Sequence, residues 1–416
     1  MTQQNRGRVA VIGAGIVGLC TAAFLQRLGC RVTLVDPEEP GTMTSFGNAG
    51  AIAAHAVVPM SMPGIWKKIP GWLLTPSGPL AVRPGYAARA VPWLIRFMRA
   101  AAHHESQARA LAGLYRPAWE AYLELTDAAG ASHLLQQAGA LTVYETAAAF
   151  EGDARARALV RGHGHRVEEL DPEALRQLEP GLAPVFTRAA YFPDAAHCTN
   201  PGELCRLIAA MVLGRGGEHL RARVAGFELG PEGVVALRTD SGDQHAFDRF
   251  VVTAGAWSHR LSALLGERFP LESERGYHMT LPHPGILTER PVIFAERRFM
   301  ATTMDMGLRL AGTVEFAGLS AAPNWTRADM LVRQARTLFG GIDLSDGRPW
   351  MGHRPATPDS LPVIGRSARH RNVFYGFGHG HLGLTGGAVT GRHLAGLAAG
   401  RETGLDLAPF RIDRYR

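Results

Sequence analysis

The chain is poor in lysine. Of its 44 basic residues, only Lys67 and Lys68 are lysines, and the arginines are scattered with no basic block. The formal charge of +7 therefore does not read as a nucleic-acid footprint, and no nucleic-acid motif accompanies it. Cysteine is scarce as well. Cys20, Cys30, Cys198 and Cys205 lack metal-ligand spacing and read as reduced, structural thiols. His163 and His165 flank Gly164 with no third ligand in view, so no metal site is expected. No apolar run reaches the ~18 residues needed to cross a bilayer, and MTQQNRGR has no apolar segment of a secretory signal. These absences lead us to expect an intracellular globular protein. At 416 residues it has length for two or three domains.

What is present begins at Val9. Val9–Ile12 is apolar, as a strand buried on both faces would be. Gly13-Ala14-Gly15-Ile16-Val17-Gly18 follows, then apolar residues at helical spacing (Leu19, Ala22, Ala23, Leu25, Leu28), Gly29 as a stop, and a second strand, Arg31–Val35, closed by Asp36. Each part has a job in holding a dinucleotide. Gly13 permits the tight turn, Gly15 admits a pyrophosphate to the backbone, and Gly18 lets helix and strand pack closely. The helix N-terminus offers free N–H groups, and Asp36 can accept from ribose hydroxyls. This unit alone does not separate FAD from NAD. A second unit lies at the other end of the chain: a strand at Asn372–Phe377, the loop Gly378–Gly387, and a helix reaching Ala399. A reduced flavin carries negative charge that a helix N-terminus stabilises, so two such units favour FAD. Ser45-Phe46-Gly47-Asn48-Ala49-Gly50 and the strand-turn Phe250–Trp257 offer two more places where backbone can approach a nucleotide.

Between these ends the pattern is coarser. Helices are expected over Ala108–Ala129, Ala147–Gly162, Pro172–Leu178 and Arg327–Phe339, and from Thr199 to Val212. Strands are expected at Leu141–Tyr144, Ala189–Phe192, Tyr277–Leu281, Val292–Phe294 and Gly307–Thr313, with a hairpin of Arg221–Phe227 and Val234–Thr239. Residues 56–101 combine Trp66, Trp72 and Trp93 with prolines and basic residues, and Pro92–Ala101 reads as a short amphipathic helix. Core packing in a lid is the favoured reading of this stretch, with an interfacial membrane contact as the rival.

The first motif with Asp36, the SFGNAG loop, the VVTAGAW strand and the terminal GHRPATPDSLPVIG…FGHGHLGLTGG segment together resemble the FAD-dependent D-amino-acid oxidase superfamily. The chain is most similar to bacterial D-amino-acid dehydrogenases, including relatives acting on cyclic imino acids such as D-hydroxyproline. The resemblance covers nearly the whole chain and is vague only across 56–180. It implies an α/β fold. A Rossmann-like FAD domain would be built from residues 1–55, 181–260 and 346–416, and a substrate domain with an antiparallel sheet from 56–180 and 261–345.

The resemblance also implies a site. Arg354, in Gly352-His353-Arg354-Pro355, matches the arginine that binds the substrate carboxylate, for which a planar two-donor fork is suited. Tyr277 would donate to the same carboxylate, His278 would line the pocket, and His381 and His55 would stand near the flavin. Cofactor contacts are expected from Gly13, Gly15, Ile16, Val17, Gly18 and Asp36; from Ser45, Asn48, Ala49 and Gly50; from Val224, Ala254, Gly255 and Trp257; and from Gly380, His381, Gly383, Leu384 and Thr385. The implied reaction is hydride transfer from Cα to flavin N5, giving an imine that hydrolyses to a 2-oxo acid. No catalytic base is required, and none is named. Some relatives attach flavin through a histidine beside the first motif or a cysteine near the C-terminus. Here no cysteine lies beyond Cys205, so the FAD is expected to be non-covalent.

Electrons are expected to pass to a quinone-type acceptor rather than oxygen. Sarcosine oxidases of the superfamily set a lysine beside the flavin to stabilise superoxide, and Lys67 and Lys68 lie outside every matched segment. The expected setting is cytoplasmic, with peripheral contact at the inner membrane as the second reading. Three rivals remain: a glycine- or sarcosine-type or other secondary-amine oxidase of the same superfamily, a catalytically silent flavoprotein, and a nicotinamide dehydrogenase. The sequence does not identify the substrate side chain or the oligomeric state.

Overall fold

The computed structural model describes residues 7–415 except 66–68, 70 and 72–77. Its centre is a six-stranded sheet in the order 218–220, 31–35, 8–12, 249–252, 373–377, 363–366. The first five strands run parallel and the last is antiparallel. The apolar run predicted as a doubly covered strand is one: Val9, Ala10 and Val11 are fully buried. The helix Ile16–Arg27 crosses over to Arg31–Val35. It packs on the C-terminal helix Gly383–Ala398. A β-carbon at Gly391 would meet the backbone at Cys20 and Thr21, so that glycine sets how close the two helices come. The two glycine-helix units from opposite ends of the chain thus share one sheet and one core.

A nine-stranded sheet forms the second layer. Its path is 348–356, 272–281, 307–316, 299–304, 292–294, 140–144, 188–192, 168–170, with 80–82 beside 307–316. Most of its pairs are antiparallel, and strands 272–281, 307–316 and 348–356 lend residues to the cavity described below. The strands Arg188–Phe192 and Arg348–Ala356 belong to this sheet. The helices His104–Tyr115 and Ala118–Ala129 share the core of the six-stranded sheet. Drawn by sheet membership, the division of the chain would therefore run differently from the boundaries at 180 and 345, and we offer it as a proposal.

Two long predicted helices are each broken. Ala108–Ala129 is in fact His104–Tyr115 and Ala118–Ala129. Pro117 lacks an N–H and disfavours helical backbone at Arg116. Ala147–Gly162 is Ala147–Gly152, capped by Thr146, and then Ala154–Gly162. The helix Pro172–Leu178 stands as expected, with the Asp171 side chain accepting from Ala174 N at 2.9 Å. The amphipathic segment extends to Ala87–Ala100 and carries Pro92 within it. Trp93 is core there: its ring stacks on Phe97 and its indole N–H donates to the Ala356 carbonyl. Trp66 and Trp72 lie outside the described residues.

Candidate active site

A cavity of about 1190 Å³ runs between the two sheets. At one end stand Gly13, Gly15, Ile16, Val17, Asp36 and Val224. Gly13 has φ +106°, which a side chain would resist. A β-carbon at Gly18 would meet the Gly13 carbonyl, so Gly18 is a packing glycine and does not line the cavity. Asp36 accepts from Ala14 N at 2.7 Å and from Glu38 N at 3.0 Å. Burial raises its pKa, with those bonds opposing. The first turn of Ile16–Arg27 holds no acidic residue, which leaves it suited to an anion.

The middle is formed by Ser45, Asn48 and Ala49 on one side and Ala254, Gly255 and Trp257 on the other. Ser45 Oγ accepts from Ile16 N at 2.9 Å, tying the loop to the helix start. Asn48 Oδ1 accepts from Gly50 N. Gly50, at φ +84°, turns the loop but does not line the cavity. Buried Arg309, which sequence reasoning missed, donates to the Asn48 carbonyl at 2.6 Å and to that of Phe46 at 3.3 Å. Nothing local to Arg309 signals this role.

At the far end Gly380, His381, Gly383 and Leu384 present the start of the C-terminal helix, whose first turn also lacks acidic residues. Thr385 sits behind them. Its hydroxyl accepts from Ala53 N and donates to the Ala51 carbonyl, so it fastens the loop and does not line the cavity. His381 faces the cavity, and burial together with the charge of Arg354 lowers its pKa to about 4. His55 also lines the cavity, stacked on Phe192 at 4.3 Å, with its pKa lowered to about 3 chiefly by burial.

Arg354 lies on the same wall. Its side chain crosses over Gly276 of the neighbouring strand, where a β-carbon would fall on the guanidinium. It donates to the Thr313 carbonyl at 2.9 Å and to that of Gly312 at 3.4 Å. Thr313 sits at φ +55°, where the register between strands 272–281 and 307–316 shifts. Such a bulge re-aims the groups beside it. Arg327 donates to Thr313 Oγ1 at 2.9 Å and holds the bulge from behind. Among the described residues two of the five N–H donors of Arg354 are thus taken by protein carbonyls.

Two candidates are otherwise engaged. Tyr277 lines the cavity, but its hydroxyl donates to Glu315 Oε2 at 2.5 Å and accepts from Asn324 N. His278 is buried outside the cavity wall, stacked on Trp350 and bonded through Nδ1 to the Gly47 carbonyl. Burial, aided by Arg309, lowers its pKa to about 3. It positions the loop of Ser45 and Asn48. Glu274, three residues before Tyr277 and not singled out by the sequence, faces the cavity beside Arg354. Its spacing of two from Gly276 was the signal that would have found it. Among the described residues no cluster of acidic, histidine and cysteine side chains could hold a metal.

A family model described as FAD dependent oxidoreductase, DAO, matches residues 8–397. The chain belongs to the DAO family. A D-amino-acid oxidase from Bradyrhizobium diazoefficiens is 39% identical to this DAO-family chain, with 98% of each covered. A D-amino acid dehydrogenase from Paramagnetospirillum magneticum is 33% identical, over 98% of this chain and 99% of the relative. The solved glycine oxidase from Geobacillus kaustophilus shares the DAO fold, with a TM-score of 0.73 over 98% of this chain and 99% of that one, at 22% identity. The protein is an FAD-dependent oxidoreductase, and the glycine turns, Asp36 and the two acid-free helix starts fit that cofactor.

Proposed function

We propose that the protein oxidatively deaminates a D-amino acid or cyclic D-imino acid and passes the electrons to a quinone-type acceptor. The observation that carries this reading is Arg354, a partly free guanidinium fork on the cavity wall at the end where the C-terminal helix starts. The names of the 39% and 33% identical relatives support the substrate class.

FAD, when bound, supplies the acceptor for a hydride from the substrate Cα. The chain's own task is orientation. Arg354 would take the carboxylate in two charge-assisted bonds, and the carbonyls of Gly312 and Thr313 keep the fork from rotating. Such positioning contributes ~7–11 kcal/mol in good cases. Asp36 would take the ribose, and the starts of Ile16–Arg27 and Gly383–Ala398 would face the cofactor's negative groups. The four cysteines are buried and none lines the cavity, which supports non-covalent FAD.

The test is anaerobic bleaching of the FAD-loaded protein by a panel of D- and L-amino acids, prolines, glycine and N-methyl amino acids. D-amino or cyclic D-imino acids should bleach it. Preferential bleaching by glycine or sarcosine would make it a glycine- or sarcosine-type amine enzyme, and no bleaching by any amine would make it catalytically silent. Oxygen as acceptor is the second reading, favoured by the name of the 39% identical relative.

A further inference from the structure

The cavity wall beside Arg354 carries a carboxyl that the protein leaves unheld. Glu274 and Arg354 are paired across adjacent strands. The guanidinium, however, lies over Gly276, two residues along the strand and so ~7 Å from Glu274 at the backbone. Among the described residues no side-chain hydrogen bond and no close ion pair engages the Glu274 carboxyl, although the charge of Arg354 acts on it. Glu272, two residues earlier, shows the contrast. Its carboxylate accepts from the Tyr86 hydroxyl at 2.9 and 3.0 Å and from Ser273 N at 2.8 Å, and it does not line the cavity. Glu274 is partly buried on the cavity wall, where a ligand's donors can reach a carboxyl that no side chain holds.

An α-amino acid brings a carboxylate and an ammonium on one carbon. With its carboxylate on Arg354, its ammonium falls between the fork and Glu274. We propose that Glu274 anchors the substrate ammonium and accepts a proton from it. One N–H bond breaks, its proton goes to a Glu274 carboxylate oxygen, and the electron pair stays on nitrogen. The neutral amine and the carboxylic acid that result balance the step with no further reactant. This rests on the proposed amine oxidation and adds the base that the sequence did not require.

The surroundings suit an acceptor working near neutrality. Burial pushes Glu274 up to about 7, against the pull of Arg354 and with the help of Glu272. The strand on its other side faces it with Phe316. Arg89 and Arg260 act on Tyr86, one group further away, and His381 stands beside Arg354 with its pKa lowered to about 4.

The test uses FAD-loaded Glu274→Gln, whose FAD absorbance per chain checks folding. In anaerobic rapid mixing with the best substrate, the variant should bleach about a hundredfold or more slowly at pH 7. The deficit should close towards pH 10, where the substrate supplies its own neutral amine. A second readout needs no turnover: flavin spectral shifts on binding 2-aminoisobutyrate, which has no Cα–H, and isobutyrate, which has no amine. The variant should lose about tenfold or more in affinity for the first and keep the second. A pH-independent deficit, no deficit, or equal effects on both ligands would overturn the role of Glu274. If no amine bleaches the wild type, the proposed function fails, and the binding arm still decides on Glu274.

Discussion

At Gly276 a β-carbon would land on the Arg354 guanidinium, so the geometry of the proposed carboxylate clamp rests on the absence of a side chain at Gly276. Gly276→Ala should therefore mimic a clamp mutant. The methyl group pushes Arg354 away from the Thr313 and Gly312 carbonyls and turns the fork out of line. Arg354→Lys removes the fork but keeps a charge, and charge-assisted bonds of this kind contribute ~1.5–3 kcal/mol each. Both variants should raise KM by about tenfold to a hundredfold while FAD per chain, read from visible absorbance, stays at the wild-type level. Unchanged steady-state kinetics in Arg354→Lys would show that another group holds the carboxylate. Unchanged kinetics in Gly276→Ala alone would show that Arg354 has a second way across the sheet.

Among the elements, the N-terminal strand-helix-strand is the one whose parts depend most on each other. Asp36 holds Ala14 N and Glu38 N, so it shapes the turn that it also lines. Asp36→Ala should lower FAD affinity, both by freeing the turn and by removing the ribose acceptor, and should leave substrate choice alone. Dialysis followed by flavin absorbance measures this, and a variant that keeps all its FAD would count against it. This unit was legible in the sequence because its logic is local. A positive φ at Gly13 and close packing at Gly18 are each stated by one residue type within ten positions. The antiparallel sheet was legible as strands but not as a site. That the Tyr277 proton goes to Glu315, 38 residues on, is a matter of cross-strand register and of a bulge at Thr313, which no motif announces. One of the two helix breaks was within reach, because Pro117 is a local stop between His104–Tyr115 and Ala118–Ala129.

At the scale of the whole molecule, the question is where two electrons leave. Oxygen first accepts one electron and becomes an anion, which a fixed cation close by would stabilise. Lys67 and Lys68 lie outside the described residues and outside every segment matched to the flavin. The histidines around the cavity are poor substitutes. Burial lowers His379 to about 4 and His55 to about 3, and burial with the charge of Arg354 lowers His381 to about 4, all of which disfavours a charge on them at pH 7. Arg354 would be matched by the substrate carboxylate. The helix Ala87–Ala100 points the same way from the outside. It lends Trp93, Leu94 and Phe97 to the cavity wall and exposes Val91, Ile95 and Met98 on another side, with Arg89, Arg96 and Arg99 along it. An apolar wall reaching from the cavity to an amphipathic helix suits an apolar acceptor better than a small diffusing gas. Among the described residues no helix is long and apolar enough to cross a membrane. We predict that enzyme reduced anaerobically by its best substrate is reoxidised faster by a soluble quinone analogue than by air-saturated buffer in stopped flow. Val91→Asp with Ile95→Asp should slow reoxidation by quinone embedded in vesicles and leave reoxidation by the soluble analogue unchanged. Reoxidation by air as fast as by the quinone would make the protein an oxidase and overturn the quinone reading.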